Sequence, residues 1–474
     1  MKKTLLRNAV FIDGTGAGAR RCDILLQGDR VAGIGDALAL PSDETIDCQG
    51  LTLSPGFIDV HTHDDAQVLR DPSMLAKISQ GVTTVITGNC GLSLVPLITQ
   101  NPTPPLDLLH TTEFKYPSMA LYAQAVRASG SAVNVGALVG HTALRAAVMP
   151  DLSQAATDAQ IKLMSSHLDA AMQEGALGMS SGLFYKPAEG ANLHEMTSLA
   201  RVVGHHGGVY VTHLRTEMDD IIAAMHEAAQ TAKVARTPWI LSHHKCAGPK
   251  NWGRSIETLA LLERLGQSQE VGLDAYPYTA GSTLLREDLV DGVIQILITR
   301  SQTHPEMAGR YLEDIAQTWG VSQLQACQRL MPGGACYFQM HEEDVRRILA
   351  HPLTMIGSDG LPHDEKPHPR LWGAFARVLA HYCRDEKLIS LPQAIHKMTG
   401  LSAQRFGLKD RGVLREGAFA DLVLFDPLEI QDKASYEQPH QMCQGIHRVM
   451  VNGQWAFANG QSQGKGQGRF LPRS

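Results

Sequence analysis

At the start of the chain, apolar positions fall in short runs cut by turn residues, the pattern of β-strands joined by tight turns. Leu5 to Gly14, Asp23-Ile24-Leu25-Leu26 and Arg30-Val31-Ala32-Gly33-Ile34 are such runs, the last two separated by Gly28-Asp29. The same pattern returns at the far end, in Ala420-Asp421-Leu422-Val423-Leu424-Phe425-Asp426 and His447-Arg448-Val449-Met450-Val451-Asn452-Gly453. Neither end alone has strands enough for a stable core. The two are expected to build one small β-sandwich domain together, from residues 1–54 and 414–474.

Between them the period changes. Short apolar runs alternate with longer segments of helical period, as a parallel βα design requires. The first four runs are Gly56 to Val60, Thr83 to Thr87, Val133 to Val139 and Gly175 to Met179. Gly208 to Thr212, Pro238 to Ser242, Val271 to Ala275 and Thr354 to Ser358 follow. Ahead of the fourth run, Ile161, Met164, Leu168 and Ala171 fall on one helical face,. Eight such units predict an α/β fold, a (β/α)8 TIM-type barrel over residues 55–413, with its site at the strand C-termini,. One interval, from about Gly281 to Tyr337, is far longer than a single crossover and contains a helical stretch from Met307 to Trp319. It predicts an inserted lid subdomain over residues 281–340, placed beyond a strand C-terminus where it can cover the site,.

Composition narrows the class. A chain of 474 residues is too long for one small core and suggests a large domain with a smaller one,. Its 43% apolar and 19% charged residues are those of an ordinary soluble enzyme,. A net charge of -6 gives no electrostatic reason to expect nucleic acid or an anionic membrane as partner,. No stretch approaches the ~20 apolar residues that cross a bilayer. Met1-Lys2-Lys3-Thr4-Leu5-Leu6-Arg7 lacks the long apolar core of a signal peptide,. The eight cysteines show no zinc-finger spacing and read as reduced thiols, so the expected compartment is the cytoplasm,.

Candidate chemistry gathers at the ends of the predicted barrel strands. His61-Thr62-His63 closes the first run, and in an extended segment residues two apart face the same way and can reach one metal,. The spacing alone carries little, because roughly one His-x-His arises by chance among 21 histidines,. Cys90 follows the second run, His213 ends the fifth, His243 the sixth and Asp359 the eighth. Singly, a buried cysteine is usually a small hydrophobe and a strand-end histidine a hydrogen-bonded structural residue. Together, five runs that each end in a competent ligand read as a metal site. Thiolate, imidazole and carboxylate favour zinc over magnesium or calcium. Cys90, His213 and His243 would leave the open position for water that catalytic zinc needs. Asp359 can accept that water's proton and return it to a leaving amine; its bland alternative is to cap the turn Gly360-Leu361-Pro362,.

Pro55-Gly56-Phe57-Ile58-Asp59-Val60-His61-Thr62-His63 resembles the signature opening of the amidohydrolase superfamily. More narrowly, the chain is similar to the D-aminoacylases, or N-acyl-D-amino-acid deacylases. The matching segments are Gly88-Asn89-Cys90-Gly91, Ser181-Gly182-Leu183-Phe184-Tyr185, Thr212-His213-Leu214-Arg215, Ser242-His243-His244-Lys245 and Asp274-Ala275-Tyr276-Pro277-Tyr278. Gly357-Ser358-Asp359-Gly360, His368-Pro369-Arg370-Leu371-Trp372-Gly373 and Gly417-Ala418-Phe419-Ala420-Asp421-Leu422-Val423 complete them, so the resemblance runs almost end to end.

The resemblance implies a tight zinc on Cys90, His213 and His243. It also implies a second, weaker metal position on His61, His63 and Asp359, with Cys90 bridging. The carboxylated lysine common in the wider superfamily has no counterpart in Met179-Ser180-Ser181-Gly182. His244 competes with His243 for the ligand role, and the family's Ser-His-x-Lys pattern favours His243. Lys245, Tyr276 and Arg370 are implied to hold a substrate α-carboxylate,. Ser282 would add a hydrogen bond, and Tyr185 would either face the tetrahedral oxyanion or pack beside the site. The implied substrate is an N-acyl-D-amino acid, expected to be neutral and hydrophobic because Leu289 and Val290 line the early lid. The rival, an N-acyl-D-glutamate or N-acyl-D-aspartate, needs an extra buried cation, for which Arg286 is the candidate unless Glu287 and Asp288 already neutralise it,. Cyclic imide opening and isoaspartyl dipeptide cleavage match the motifs less well. A non-catalytic scaffold should have lost a ligand or the acid–base carboxylate, and none is missing.

Overall fold

The computed structural model of the protein describes residues 1–38, 40–109, 114–464 and 466–473. The short apolar runs become eight parallel strands. They are β1 (Phe57–Asp59), β2 (Val82–Thr87), β3 (Asn134–Gly140), β4 (Gly178–Gly182), β5 (Val209–His213), β6 (Trp239–Leu241), β7 (Val271–Ala275) and β8 (Thr354–Ile356). Every residue in them is buried, which is why they read as continuous apolar runs and not as an alternating pattern,. They pair in sequential order, and a parallel bridge between Thr62 and Gly360 brings the two ends together.

Between β3 and β4, the helix Asp158–Gln173 starts at a capping box made by Thr157 and Gln160 and buries Ile161, Met164, Leu168 and Ala171,. That is the predicted apolar face. The fourth strand itself begins at Gly178, three residues later than the run suggests. Gly175 is left-handed (φ 105°) and the Ala176 N–H still bonds back to the Ala171 carbonyl, so these residues finish the helix and do not start the strand,.

Both termini enter one nine-stranded mixed sheet. Thr52–Pro55 pairs antiparallel with Leu422–Phe425 and parallel with Lys3–Phe11, joining the two ends of the chain. The sheet curls on itself. Val31 N–H donates to the Ala418 carbonyl and Ala420 N–H to the Asp29 carbonyl, at 2.9 and 2.8 Å, so Arg30–Gly35 returns to the segment leading into Leu422–Phe425. Leu6, Phe11, Ile24, Leu26, Leu53, Leu422 and Leu424 fill the enclosed core. The other face meets the barrel, where Phe425 packs edge-on against Phe57 of β1.

A buried polar knot fixes the same contact. Asp421 is bound by Arg411, by the Asn452 N–H at 2.7 Å and by Nδ2 of Asn134, the first residue of β3, at 3.2 Å.

The long interval after β7 forms an antiparallel sheet of Gly281–Leu284, Gly333–Tyr337 and Ile296–Ser301, covered by helices Leu312–Trp319 and Gln323–Leu330. Leu285, Ile298, Leu312, Ile315 and Leu330 belong to its own apolar cluster. Its first helix begins at Leu312 and not at Met307, because Gly309 turns left-handed (φ 87°) between a short 3-10 turn and the helix. Among the described residues, no helix is long and apolar enough to cross a membrane.

Removing Arg411 would strand the Asp421 carboxylate in a buried setting, which costs about 3–5 kcal/mol. R411A is expected to lower the midpoint of urea unfolding accordingly; an unshifted midpoint would show that Asn134 and Asn452 suffice.

Candidate active site

Strands of the barrel end in short turns that aim side chains at a common centre. Cys90 Sγ lies 3.2 Å from His61 Nε2 and 3.3 Å from His243 Nε2, which is 2.9 Å from His213 Nδ1. Asp359 Oδ1 lies 3.1 Å from His63 Nε2 and 3.5 Å from His61 Nε2. All six side chains are buried. Their ligand atoms form two groups within 4.8 Å of one another, Cys90 with His213 and His243, and Cys90 with His61, His63 and Asp359, so the cysteine is common to both. Nitrogen, sulfur and oxygen lone pairs converging at such distances fit a cation between them, and a set rich in imidazole and thiolate fits zinc.

Holding these atoms together strains the backbone. Cys90, His243 and Asp359 all sit in the left-handed region, at φ 55°, 33° and 49°,. The neighbouring chain has to come close as well. A side chain on Gly182 would run into the Cys90 carbonyl, and one on Gly357 would lie 2.5 Å from His61 Cβ.

Charged groups behind the cluster orient it. Asp274 Oδ1 is 3.1 Å from His61 Nδ1 and accepts the His243 backbone N–H at 2.9 Å, so one atom fixes the His61 ring and the main chain at His243. Glu217 Oε1 is 3.1 Å from His243 Nδ1 and accepts from Lys245 Nζ at 2.7 Å. Both leave the Nε2 atoms of His61 and His243 facing Cys90, the second-sphere support that ligating histidines use. Burial alone would raise the Cys90 thiol, but the charges of His61 and His243 outweigh it and hold the thiol well below its ordinary value. Burial likewise opposes ionisation of Asp359, yet the Arg370 guanidinium 2.9 Å away and the His61 charge keep its carboxyl well below the usual range.

The cluster opens into one cavity, lined by His63, Cys90, His213, His243 and Asp359 on the polar side and by Leu108, Phe184, Met218, Leu289 and Leu361 on the apolar side. Lys245, Tyr276, Ser282 and Tyr185 also line it. Arg370 lies just behind, with Tyr276 under its guanidinium at 4.5 Å and the Ser282 carbonyl accepting from it at 3.1 Å. The Tyr276 and Ser282 hydroxyls are buried without a hydrogen-bond partner, whereas the Tyr185 hydroxyl lies 3.2 Å from Thr283 Oγ1. Three residues fall outside, of which Val290 packs against the insert's own apolar cluster and leaves only Leu289 at the cavity. His244 turns away to bond Thr258 at 2.8 Å. Arg286 forms a two-point pair with Asp288 at 3.0 and 2.7 Å and stacks on Phe184.

The sequence matches the amidohydrolase family over residues 44–457. The chain belongs to that family. Over 471 residues it is 49% identical to a D-aminoacylase of Alcaligenes xylosoxydans xylosoxydans, covering 99% of this chain and 97% of the relative. It is 46% identical to an N-acyl-D-aspartate deacylase of the same organism, over 98% of this chain and 94% of that one. A crystal structure of D-aminoacylase superposes with a TM-score of 0.97, and covers 99% of both chains at 49% identity. An N-acyl-D-glutamate deacylase from Bordetella bronchiseptica, complexed with zinc and a phosphonate inhibitor, superposes at 0.96 with 42% identity over the whole of both chains. D-Aminoacylase carries a binuclear metal centre. This chain is an amidohydrolase whose two ligand groups could each hold a metal ion.

Sequence reasoning overlooked the groups that orient the cluster. Glu217 stands four residues beyond His213, and Asp274 near the end of β7. The signal for each was present, a carboxylate at or just past a barrel strand end, but its partners come from other strands. Removing second-sphere support typically lowers metal affinity ~10–100-fold. D274A of this amidohydrolase is expected to lose zinc to a chelator at correspondingly lower concentration; wild-type retention would deny Asp274 that role.

Proposed function

We propose that this amidohydrolase hydrolyses N-acyl-D-amino acids with neutral, apolar side chains to a carboxylate and the free D-amino acid. The observation that carries the reading is a single cavity joining three features. It has ligand groups at its base, Lys245 and Tyr276 with Arg370 behind them on one side, and Leu108, Phe184, Met218, Leu289 and Leu361 on another. The D-aminoacylase and deacylase relatives support the substrate class. The pairing of Arg286 with Asp288 supports the neutral preference, since an acidic side chain would have to compete for that cation,. The nearly equal similarity to aspartate- and glutamate-selective relatives makes those substrates the rival outcome of the same assay.

Cys90, His213 and His243 would hold one tight zinc, and His61, His63 and Asp359 with the shared Cys90 a weaker second. Bound zinc makes water acidic and polarises the acyl carbonyl. Lys245, Tyr276 and Arg370 would bind the substrate's α-carboxylate, with Ser282 adding a hydrogen bond, and so place the amide over the ligand cluster. Asp359, kept ionised by Arg370, takes a proton from the attacking water as the C–O bond forms,. It then returns that proton to the amide nitrogen as the C–N bond breaks. Tyr185, which lines the cavity, would face the oxyanion. The eight cysteines, all unpaired, support a reducing compartment such as the cytoplasm,.

Paired N-acetyl-D- and N-acetyl-L-leucine, methionine, phenylalanine, glutamate and aspartate form the test, using enzyme of measured zinc content. Turnover of the neutral D forms is expected; a D-glutamate or D-aspartate preference would keep the chemistry and reassign Arg286, and turnover of L forms alone would refute the reading. D359N is expected to retain the tight zinc and lose ~10²–10⁴-fold in kcat. C90A is expected to lose zinc, and an unchanged metal content would make Cys90 a core residue.

A further inference from the structure

Gln339 closes the inserted subdomain. It lies just beyond the strand Gly333–Tyr337, where the chain returns to the barrel. Its backbone is fixed from two sides: the carbonyl accepts the Gly248 N–H at 2.8 Å and Trp252 Nε1–H at 3.1 Å, and the N–H donates to the Tyr337 carbonyl at 3.0 Å. The side chain is therefore presented by an anchored backbone.

That side chain lines the cavity and is only 8% exposed, yet its Oε1 has no hydrogen-bond partner. Its Nε2 borders the place where Gly281 lacks a side chain. A methyl group there would lie 3.2 Å from Gln339 Nε2, 3.3 Å from the Tyr276 hydroxyl oxygen and 4.0 Å from Lys245 Cε. The Tyr276 hydroxyl is likewise buried and unpartnered. Gln339 Oε1 and the Tyr276 hydroxyl are thus both unpartnered, on side chains that border one small space beside the Lys245 stem. Buried polar groups left in that condition are costly unless a ligand completes them.

We infer that Gln339 is a specificity-determining residue that reads the backbone of an N-acyl amino acid, an assignment that rests on the deacylase reading above. A carboxamide carries a donor and an acceptor side by side. An N-acyl amino acid offers the complementary pair on neighbouring atoms: its amide N–H and its α-carboxylate. Gln339 Nε2 donates to the carboxylate together with Tyr276 and Lys245, and Oε1 accepts the N–H of the scissile amide. A site built this way rejects a ligand that lacks the N–H, because Oε1 is then left facing another lone pair.

The test is Q339M, which keeps the side chain's length and removes both polar groups. It is run with wild-type enzyme on N-acetyl-D-leucine and on its ester analogue, (R)-2-acetoxy-4-methylpentanoate, in which oxygen replaces the N–H. With zinc content and melting temperature unchanged, kcat/KM on the amide is expected to fall about 10–100-fold. The amide-to-ester ratio is expected to fall with it, since the wild type alone discriminates through Oε1. Equal losses on both compounds would overturn the N–H contact, and an unaffected amide rate would overturn the assignment altogether. Loss of zinc or of melting temperature would make Gln339 a packing residue. Wild-type enzyme inactive on the N-acyl-D-amino acids would instead refute the underlying function.

Discussion

Eight strands can deliver ligands to one point only when the first and the last are locked in register, and that lock is a buried carboxylate. Asp59 ends β1, and its Oδ1 accepts the Ser358 N–H at 2.8 Å and the His61 N–H at 3.3 Å. Its Oδ2 accepts from Lys77 Nζ at 2.8 Å, and the same Nζ donates to Ser358 Oγ at 2.8 Å. Asp359 N–H then reaches the His61 carbonyl at 2.8 Å. Residues from opposite ends of the strand order are therefore tied through a buried lysine that pairs with Asp59 and, at 3.3 Å, with Asp64. Such a pair adds little net stability compared with apolar packing, but it tolerates only one geometry, which is what a ligand cluster needs.

The cluster is also where the fold accepts strain. Left-handed backbone at a residue other than glycine costs of order 1–3 kcal/mol, and Cys90, His243 and Asp359 each adopt it,. Local hydrogen bonds hold two of them in place, the His243 N–H donating to Asp274 and the Asp359 N–H to the His61 carbonyl. The rest of the burden falls on the barrel, whose strands are buried along their whole length. A rigid scaffold below and a strained turn above is a division of labour that lets side chains point where a regular strand end would not send them.

Much of this was legible in the sequence because parallel strands buried on both faces leave continuous apolar runs, and the proposed ligands stand at the ends of those runs. His61, Cys90, His213, His243 and Asp359 could be picked out by position alone. What could not be read is whatever depends on distant partners. Lys77 comes from the helical turn Leu75–Ile78 and looks like a surface lysine in one dimension, yet it is 1% exposed between Asp59 and Ser358. Glu217 shares Lys245 with His243 across two strand ends. Where glycines set the phase, pattern alone misplaces boundaries: the fourth run was displaced by the turn at Gly175, and the insert's helix by Gly309.

In the proposed roles, the cations that recognise substrate are not independent of the groups that act on it. Lys245 is already paired with Glu217, which also bonds the ligand His243, and Arg370 is already paired with Asp359. A substrate carboxylate entering beside them does not meet two free charges. It competes with Glu217 and Asp359 for the same donors, so binding it redistributes charge toward the metal ligands and the proton-transferring carboxylate. Binding energy from the α-carboxylate is then used at the reacting amide, the arrangement by which a non-reacting part of a substrate raises kcat and not affinity alone. The neutral remainder of the substrate needs only the apolar wall of Leu108, Phe184, Met218, Leu289 and Leu361, which makes no such electrostatic demand. An acidic side chain would introduce a second anion into a pocket where every identified cation is already shared.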